Sequence, residues 1–237
     1  MPGQFARVAL VPTIALALGG AGCGGPEVKY EPRKPVAGAK ASLPPVPNVP
    51  QRPIKNGDAY TIWGASYHLR SRVHRKEVVG KKLTLAGYIT KTNLAEAPEC
   101  AVHKGGKADP EDCKPPIPAF WIGDTKEATE SESIKVMGWA SNYAQIFDAI
   151  EEFDTKGEEG EHLDTFWGIK LPNPLPAKGA KVTVTGTYST TFSGASAGAE
   201  ADPIMGLMHM QEMKVLEPSP ELATLPGVKR KEPPEKK

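Results

Sequence analysis

The sequence predicts a mainly β domain: a small closed barrel of five strands, with one helix between the third and the fourth. Three observations lead there. Five apolar runs with strand-like alternation or β-branched content are bounded by Gly and Pro. One stretch of helical periodicity lies between the third run and the fourth. The 237-residue chain carries 29 Lys and Arg against 28 Asp and Glu, with 24 Gly and 24 Pro. That balance excludes a collagen-like chain, a polytopic membrane protein, a disordered polyanion and a histone-like basic protein. Between Pro-rich ends it leaves a folding unit at 56–217, about 160 residues, enough to bury a core.

In the first strand, Lys81-Lys-Leu-Thr-Leu-Ala-Gly-Tyr-Ile-Thr-Lys91, Leu83, Leu85 and Ile89 nearly alternate, and Gly87 marks an expected bulge. Ile117-Pro-Ala-Phe-Trp-Ile-Gly-Asp124 reads as the second strand and Ser133-Ile-Lys-Val-Met-Gly-Trp139 as the third. Tyr143, Ile146, Phe147, Ile150 and Phe153 then fall on one helical face, with Asn142 and Gln145 spaced as a capping box. Gly179 to Phe192 is the clearest strand, with Val182 and Val184 on one face and Gly186 interrupting it. A last strand runs from Gly206 to Leu216. The expected inward set is Leu83, Leu85, Ile89, Phe120, Ile122, Val182 and Val184, with Ile146 and Ile150 plugging one end. Residues 57–76 read as an irregular helix or strand against the barrel, and 93–116 and 157–176 as two long insertions.

This element order is that of the OB-fold. The phrasing "GKKLTLAGYI", "AFWIGD" and "KGAKVTVTGTY" is similar to its first, second and fourth strands. The resemblance is to exported bacterial OB-fold lipoproteins related to the anticodon-binding type, over about 80–216. A different small β-barrel, or an α+β sandwich, would show the same runs.

Residues 1–22 read as a targeting segment. Arg7 precedes the apolar stretch Val8–Leu18, too short for a membrane span and suited to a signal peptide. Gly19-Gly20-Ala21-Gly22-Cys23 resembles a bacterial lipoprotein signal, with Gly20 where that family carries Leu. The resemblance implies that Cys23 is lipidated, and Gly24 after it points to the outer membrane, facing the periplasm or the cell surface. Ordinary cleavage after Ala21 would instead leave Cys23 as a free thiol. With three cysteines in all, lipid on Cys23 leaves Cys100 and Cys113 as a pair in an oxidising compartment. Residues 23–55 read as a Pro-rich tether, whose thirty or so residues reach on the order of 90 Å. Residues 218–237, rich in Pro and Lys, read as a disordered tail.

Three segments could carry chemistry. Cys100, His103 and Cys113, with Asp109 and Asp112, offer zinc-type ligands without the usual second close pair, so a disulfide is favoured over a metal. Trp63 and Tyr67 stand just ahead of Arg70, Arg72, Arg75 and Lys76. Stacking rings beside cations suit an anionic glycan or another envelope partner. They also suit single-stranded nucleic acid, but export argues against that partner. The plain alternative is a solvated basic face balanced by the acidic run Glu151 to Glu161. Finally, Met208-His209-Met210 resembles the Met-x-Met strand of periplasmic copper chaperones of OB type, an alternative in which thioethers and an imidazole hold Cu(I). On a regular strand, though, His209 points away from both methionines. No nucleophile elbow, phosphate loop, zinc-protease motif or dinucleotide turn occurs. The expectation is a non-enzymatic binding or scaffold module of the cell envelope, without a cofactor.

Overall fold

A computed structural model describes residues 29–32, 52–67, 69, 71–193 and 199–230, without the side chain of Arg72. The short strands β1 (Lys55–Asn56) and β2 (Ala59–Tyr60) turn through Gly57, and the helices α1 (Ile62–Ser66) and α2 (Arg72–Val78) follow. The barrel begins with β3 (Lys81–Thr92), β4 (Phe120–Gly123) and β5 (Ile134–Met137), and helix α3 (Tyr143–Lys156) comes next. Strand β6 (Lys181–Ser189), a small hairpin of β7 (Thr191–Ser193) and β8 (Ala199–Ala201), and β9 (Leu207–Glu217) complete it.

The sheet runs β3-β4-β5-β9-β6, and β6 returns to β3, so the five strands close. β5 and β9 are parallel, and the other barrel pairs are antiparallel. Five strands in this order with a helix between the third and fourth make the OB-fold, and closure leaves those strands no open edge.

Alternation along the strands decides what is inside. Leu83, Leu85, Ile89, Phe120, Ile122, Val182 and Val184 are all buried, as expected. Ile134, Val136, Met208 and Met210 join them. Burying each such side chain contributes about 1.5–3 kcal/mol. Ile146, Ile150 and Phe153 of α3 stopper one end, and Tyr143 donates from Oη to the Asn93 carbonyl at 3.3 Å. Asn142 caps the helix by accepting the Gln145 N–H at 3.0 Å, but the reciprocal half of the expected capping box is not made. Gln145 Oε1 instead accepts from Thr165 N–H, 3.2 Å away, in the second insertion.

Three expectations are corrected. Gly87 is not at a bulge: it faces Val182 in regular register, and the shift falls between Ile89 and Lys91. Glycine is required there because a Cβ would lie 2.5 Å from the Gly123 carbonyl oxygen. The run 179–192 divides at Thr190, where the chain leaves the barrel for the β7–β8 hairpin. The described part of the tail, 218–230, lies on the domain rather than free of it. Leu225 is buried, and Arg230 donates from Nε to Asp154 at 2.8 Å and from Nη1 to the Ala223 carbonyl. One apolar anchor and one paired cation outweigh a composition that otherwise favours disorder.

On the outside of β4, β5 and β9 a second apolar cluster forms from Ile117, Ala119, Trp121, Met137, Phe192 and Leu207, with Trp167 packed against it. The β7–β8 hairpin and the second insertion thus cover the outer face of the sheet.

Candidate functional site

Among the described residues, a cleft of about 820 Å³ opens at the barrel end where β4 leaves and β5 enters. Its aromatic wall is built by α1. Asp124, just past β4, accepts the N–H groups of Ile62 and Trp63 at 2.7 and 2.9 Å, fixing the start of the helix to the barrel. Thr61 caps the helix through the Gly64 N–H at 2.8 Å and donates to the Pro53 carbonyl at 2.7 Å. Gly64 lets the 52–54 segment cross the helix, since a Cβ there would lie 2.0 Å from the Ile54 carbonyl oxygen. Trp63 and Tyr67, one turn apart, then stack with centroids 4.4 Å apart at 23°. Tyr67 also leans on His74 of α2 at 4.7 Å, so the platform is braced from behind.

Asn56, Thr125, Ser131, Glu132 and Arg52 supply the polar lining opposite. Glu132 accepts from Thr129 N–H and Oγ1 at 3.0 and 2.8 Å. The backbone hydrogen bond, then the hydroxyl, then the Arg52 charge hold its carboxyl below the usual range.

Of the residues expected to bind, Trp63 and Tyr67 line this cleft, whereas Arg75 and Lys76 sit on the exposed side of α2 and do not. Arg75 donates from Nη2 to Thr190 Oγ1 at 3.3 Å. Arg70, the Arg72 side chain and Cys23 lie outside the described residues. Cys100 and Cys113 form a disulfide with Cα atoms 6.0 Å apart, so their sulfurs bond each other. His103, between them in sequence, pairs with Asp109 at 3.0 Å. Its imidazole is held above the usual value by the Lys104 carbonyl and then by Asp109. Among the described residues no cluster of three or more His, Cys, Asp or Glu is placed to hold a metal.

The Met-rich strand separates its own candidate ligands. Met208 and Met210 point into the barrel core, while His209 lies on the outer face against the rings of Trp167 and Phe192, at 5.4 and 5.3 Å. Gly138 leaves room for that imidazole, since a Cβ there would lie 2.2 Å from Cδ2. Burial pushes the His209 pKa down. The unfolded chain therefore takes up the proton first, and the stability tied to neutral His209 is full above its unfolded value, near 6.5. It is lost as the pH falls from there towards the folded value. Melting midpoints from pH 8 to pH 5 should fall more steeply for the wild type than for His209→Gln. Parallel profiles would refute this.

A second cleft, about 640 Å³, was not signalled by any local pattern. It lies between the disulfide-closed loop, the start of α3 and the second insertion, and is lined by Lys107, Lys114, Ser141, Asn142, Phe166 and Trp167 among others. Asp164, fully buried, accepts Ser141 N–H at 2.7 Å through Oδ2, and Phe166 and Trp167 N–H at 2.9 and 2.7 Å through Oδ1.

No protein-family model matches the chain, and no curated protein matches it. Similar solved structures include the asparaginyl-tRNA synthetase from Pyrococcus horikoshii, at 14% identity and a TM-score of 0.24 over 60% of this chain and 21% of that one. The same enzyme complexed with asparaginyl-adenylate matches alike, at 14% and 0.24 over 60% and 20%. A protein described as an aspartyl-tRNA synthetase from Leishmania major Friedlin matches at 12% identity and 0.29, over 71% of this chain and 23% of that one. The chain thus spans about a fifth of the length of these structures. Strand order, rather than these distant likenesses, makes the barrel an OB-fold.

Proposed function

We propose that the protein is a non-enzymatic binding module of the cell envelope, anchored in the outer membrane through lipid on Cys23, whose cleft takes an anionic glycan. The observation that carries this is the braced Trp63–Tyr67 stack lining a cleft of ligand size, about 820 Å³. A sugar ring packs on the open face of Trp63. Asn56, Thr125, Ser131 and Glu132 meet its hydroxyls. Arg75 and Lys76 lie outside the cleft on α2, the helix that braces Tyr67, and meet the ligand's acidic groups as they extend past it. The tether in this reading sets the barrel's distance from the membrane.

Binding of the purified chain to lipopolysaccharide and a uronic-acid polymer, with single-stranded DNA and Cu(I) as comparators, tests it. Trp63→Ala should weaken glycan binding about five- to tenfold, a stacking contribution of about 1 kcal/mol or slightly more. Arg75→Ala with Lys76→Ala should flatten the salt dependence. A chain that binds neither glycan, or binds both equally well without Trp63, would overturn the reading. Mass spectrometry of the mature N-terminus tests the anchor separately, and an unmodified start at Gly22 would refute it.

A further inference from the structure

We infer that the groove beneath the strap formed by residues 218–230 is a peptide-binding site. The chain's own strap fills it until a peptide of like chemistry, a leucine anchor with an arginine five residues on, displaces it. The domain's side of the groove is apolar, lined by Ile89, Leu175, Ala177, Ala180, Met213 and Val215. How the strap is held carries the inference. Among residues 218–230 only Leu225 is buried, and it joins the main core cluster. Arg230 donates from Nε to Asp154 of α3 at 2.8 Å, with the two side chains 13% and 9% exposed. Its Nη1 donates to the Ala223 carbonyl, so one guanidinium folds the strap on itself and pins it to α3. Near the other end, Ser219 Oγ donates to the Lys178 carbonyl at 2.6 Å.

Two further observations make the strap exchangeable. Among the described residues, no backbone–backbone hydrogen bond joins 218–230 to the rest of the domain. An element held by side chains at a few points, without a ladder, opens well below the global unfolding free energy. The fit is also incomplete. A space of about 60 Å³ remains between strap and groove, with Met213 and Val215 in its lining from the barrel and Leu222, Ala223 and Arg230 from the strap. Charge then decides the kind of occupant. The last two turns of α3 carry Glu151, Glu152 and Asp154 against Lys156, at the helix end that bears partial negative charge. Glu151 pairs with Lys104 and Glu152 with Lys156, whereas Asp154 meets the strap. A peptide that replaces the strap must therefore bring a cation to Asp154, and a guanidinium supplies directed donors there. The tethered strap acts at an effective concentration of about a millimolar, so it keeps weak competitors out.

The test uses the full chain and a fluorescein-labelled synthetic peptide of residues 218–230, read by fluorescence anisotropy. Leu225→Ser with Arg230→Ala in the chain opens the strap, and this variant should bind the peptide with a Kd on the order of 0.1 mM. The wild-type chain, its groove already filled, should bind at least about tenfold more weakly. A peptide carrying Leu225→Ser or Arg230→Ala should bind the opened variant at least about fivefold more weakly. No binding to the folded variant, equal binding to variant and wild type, or indifference to the peptide changes would overturn the proposal. Hydrogen exchange on the wild type gives a second readout. Val228 N–H, bonded to the Leu225 carbonyl at 3.1 Å, should exchange at least about a hundredfold faster than amides of the β3–β6 ladder. Equal protection, or a variant that does not fold, would make the strap part of the core and refute its exchange. A concentration-dependent dimer of the wild type that excess peptide dissolves would assign the groove to a second copy and overturn the assignment to a foreign peptide. Failure of glycan binding at Trp63 leaves this result untouched, because the two sites share no lining residue.

Discussion

Replacing Asp164 by Ala should lower the unfolding free energy by about 3–5 kcal/mol and release the second insertion from the start of α3. Its carboxylate is fully buried and accepts three backbone N–H groups, from Ser141, Phe166 and Trp167. Each hydrogen bond to a charged group is worth about 1.5–3 kcal/mol, and the three form one unit, so their sum is an upper bound. Asp164→Asn should cost less, about 1–3 kcal/mol, because one oxygen survives. Its amide, however, turns a donor either to the Ser141 N–H or to the Phe166 and Trp167 pair. Urea unfolding reads both values. In Asp164→Ala, Trp167 should also loosen from Phe192 and His209, visible as a change in its fluorescence. An Ala variant with the wild-type midpoint would contradict this account.

Removing the disulfide, by Cys100→Ser with Cys113→Ser, should cost about 3 kcal/mol, the chain-entropy value for a loop of this length. The bond joins residues 13 apart in a long insertion with little regular structure. Asn93 spans the insertion's base, donating from Nδ2 to the Ile117 carbonyl and accepting the Ala119 N–H through Oδ1, both at 2.8 Å. Gly105 N–H is shared between the two Asp148 oxygens at 3.1 Å. These, with Ala101 buried in the core and Lys104 paired with Glu151, hold the loop without the bond, so the variant should stay folded with a lower midpoint. Reductant should lower the wild-type midpoint to the same level and leave the double variant unmoved. A wild type indifferent to reductant would refute the estimate.

The barrel was legible because its strands are written as alternation, and closure follows from five such runs around one helix. Less could be read where one residue type serves two purposes. Gly87 and Gly186 both stand inside a strand and both clear a neighbouring strand's carbonyl, yet only Gly186 sits at a register shift. Trp63 and Tyr67 could be singled out as rings beside a basic run, but their stack could not, because it needs α1 to set that four-residue spacing on one helical face. The cations after them could not be placed, because α2 turns Arg75 and Lys76 out of the cleft that the rings line. Lys107 and Lys114 stand more than fifty residues from Phe166 and Trp167, and only the fold brings them to one cleft. No short-range pattern encodes such a meeting. Leu225 was hidden among prolines and lysines, where one buried side chain makes no period.

Barrel closure also governs how the chain reaches this state. Thr84 of β3 meets Thr185 of β6, 101 residues later, and the β3–β6 ladder runs from Tyr88 with Lys181 to Lys81 with Tyr188, separations of about a hundred residues. Loop-closure entropy must be spent before any of those contacts forms, and chains dominated by such pairings fold in milliseconds to seconds. During synthesis at about 5–20 residues per second, β3 waits roughly 5–20 seconds for its partner. Throughout that interval Leu83, Leu85 and Ile89 form an apolar strand without the ladder that will cover it. The nascent chain is therefore most exposed to aggregation, and most in need of a holding chaperone, between the emergence of β3 and that of β6.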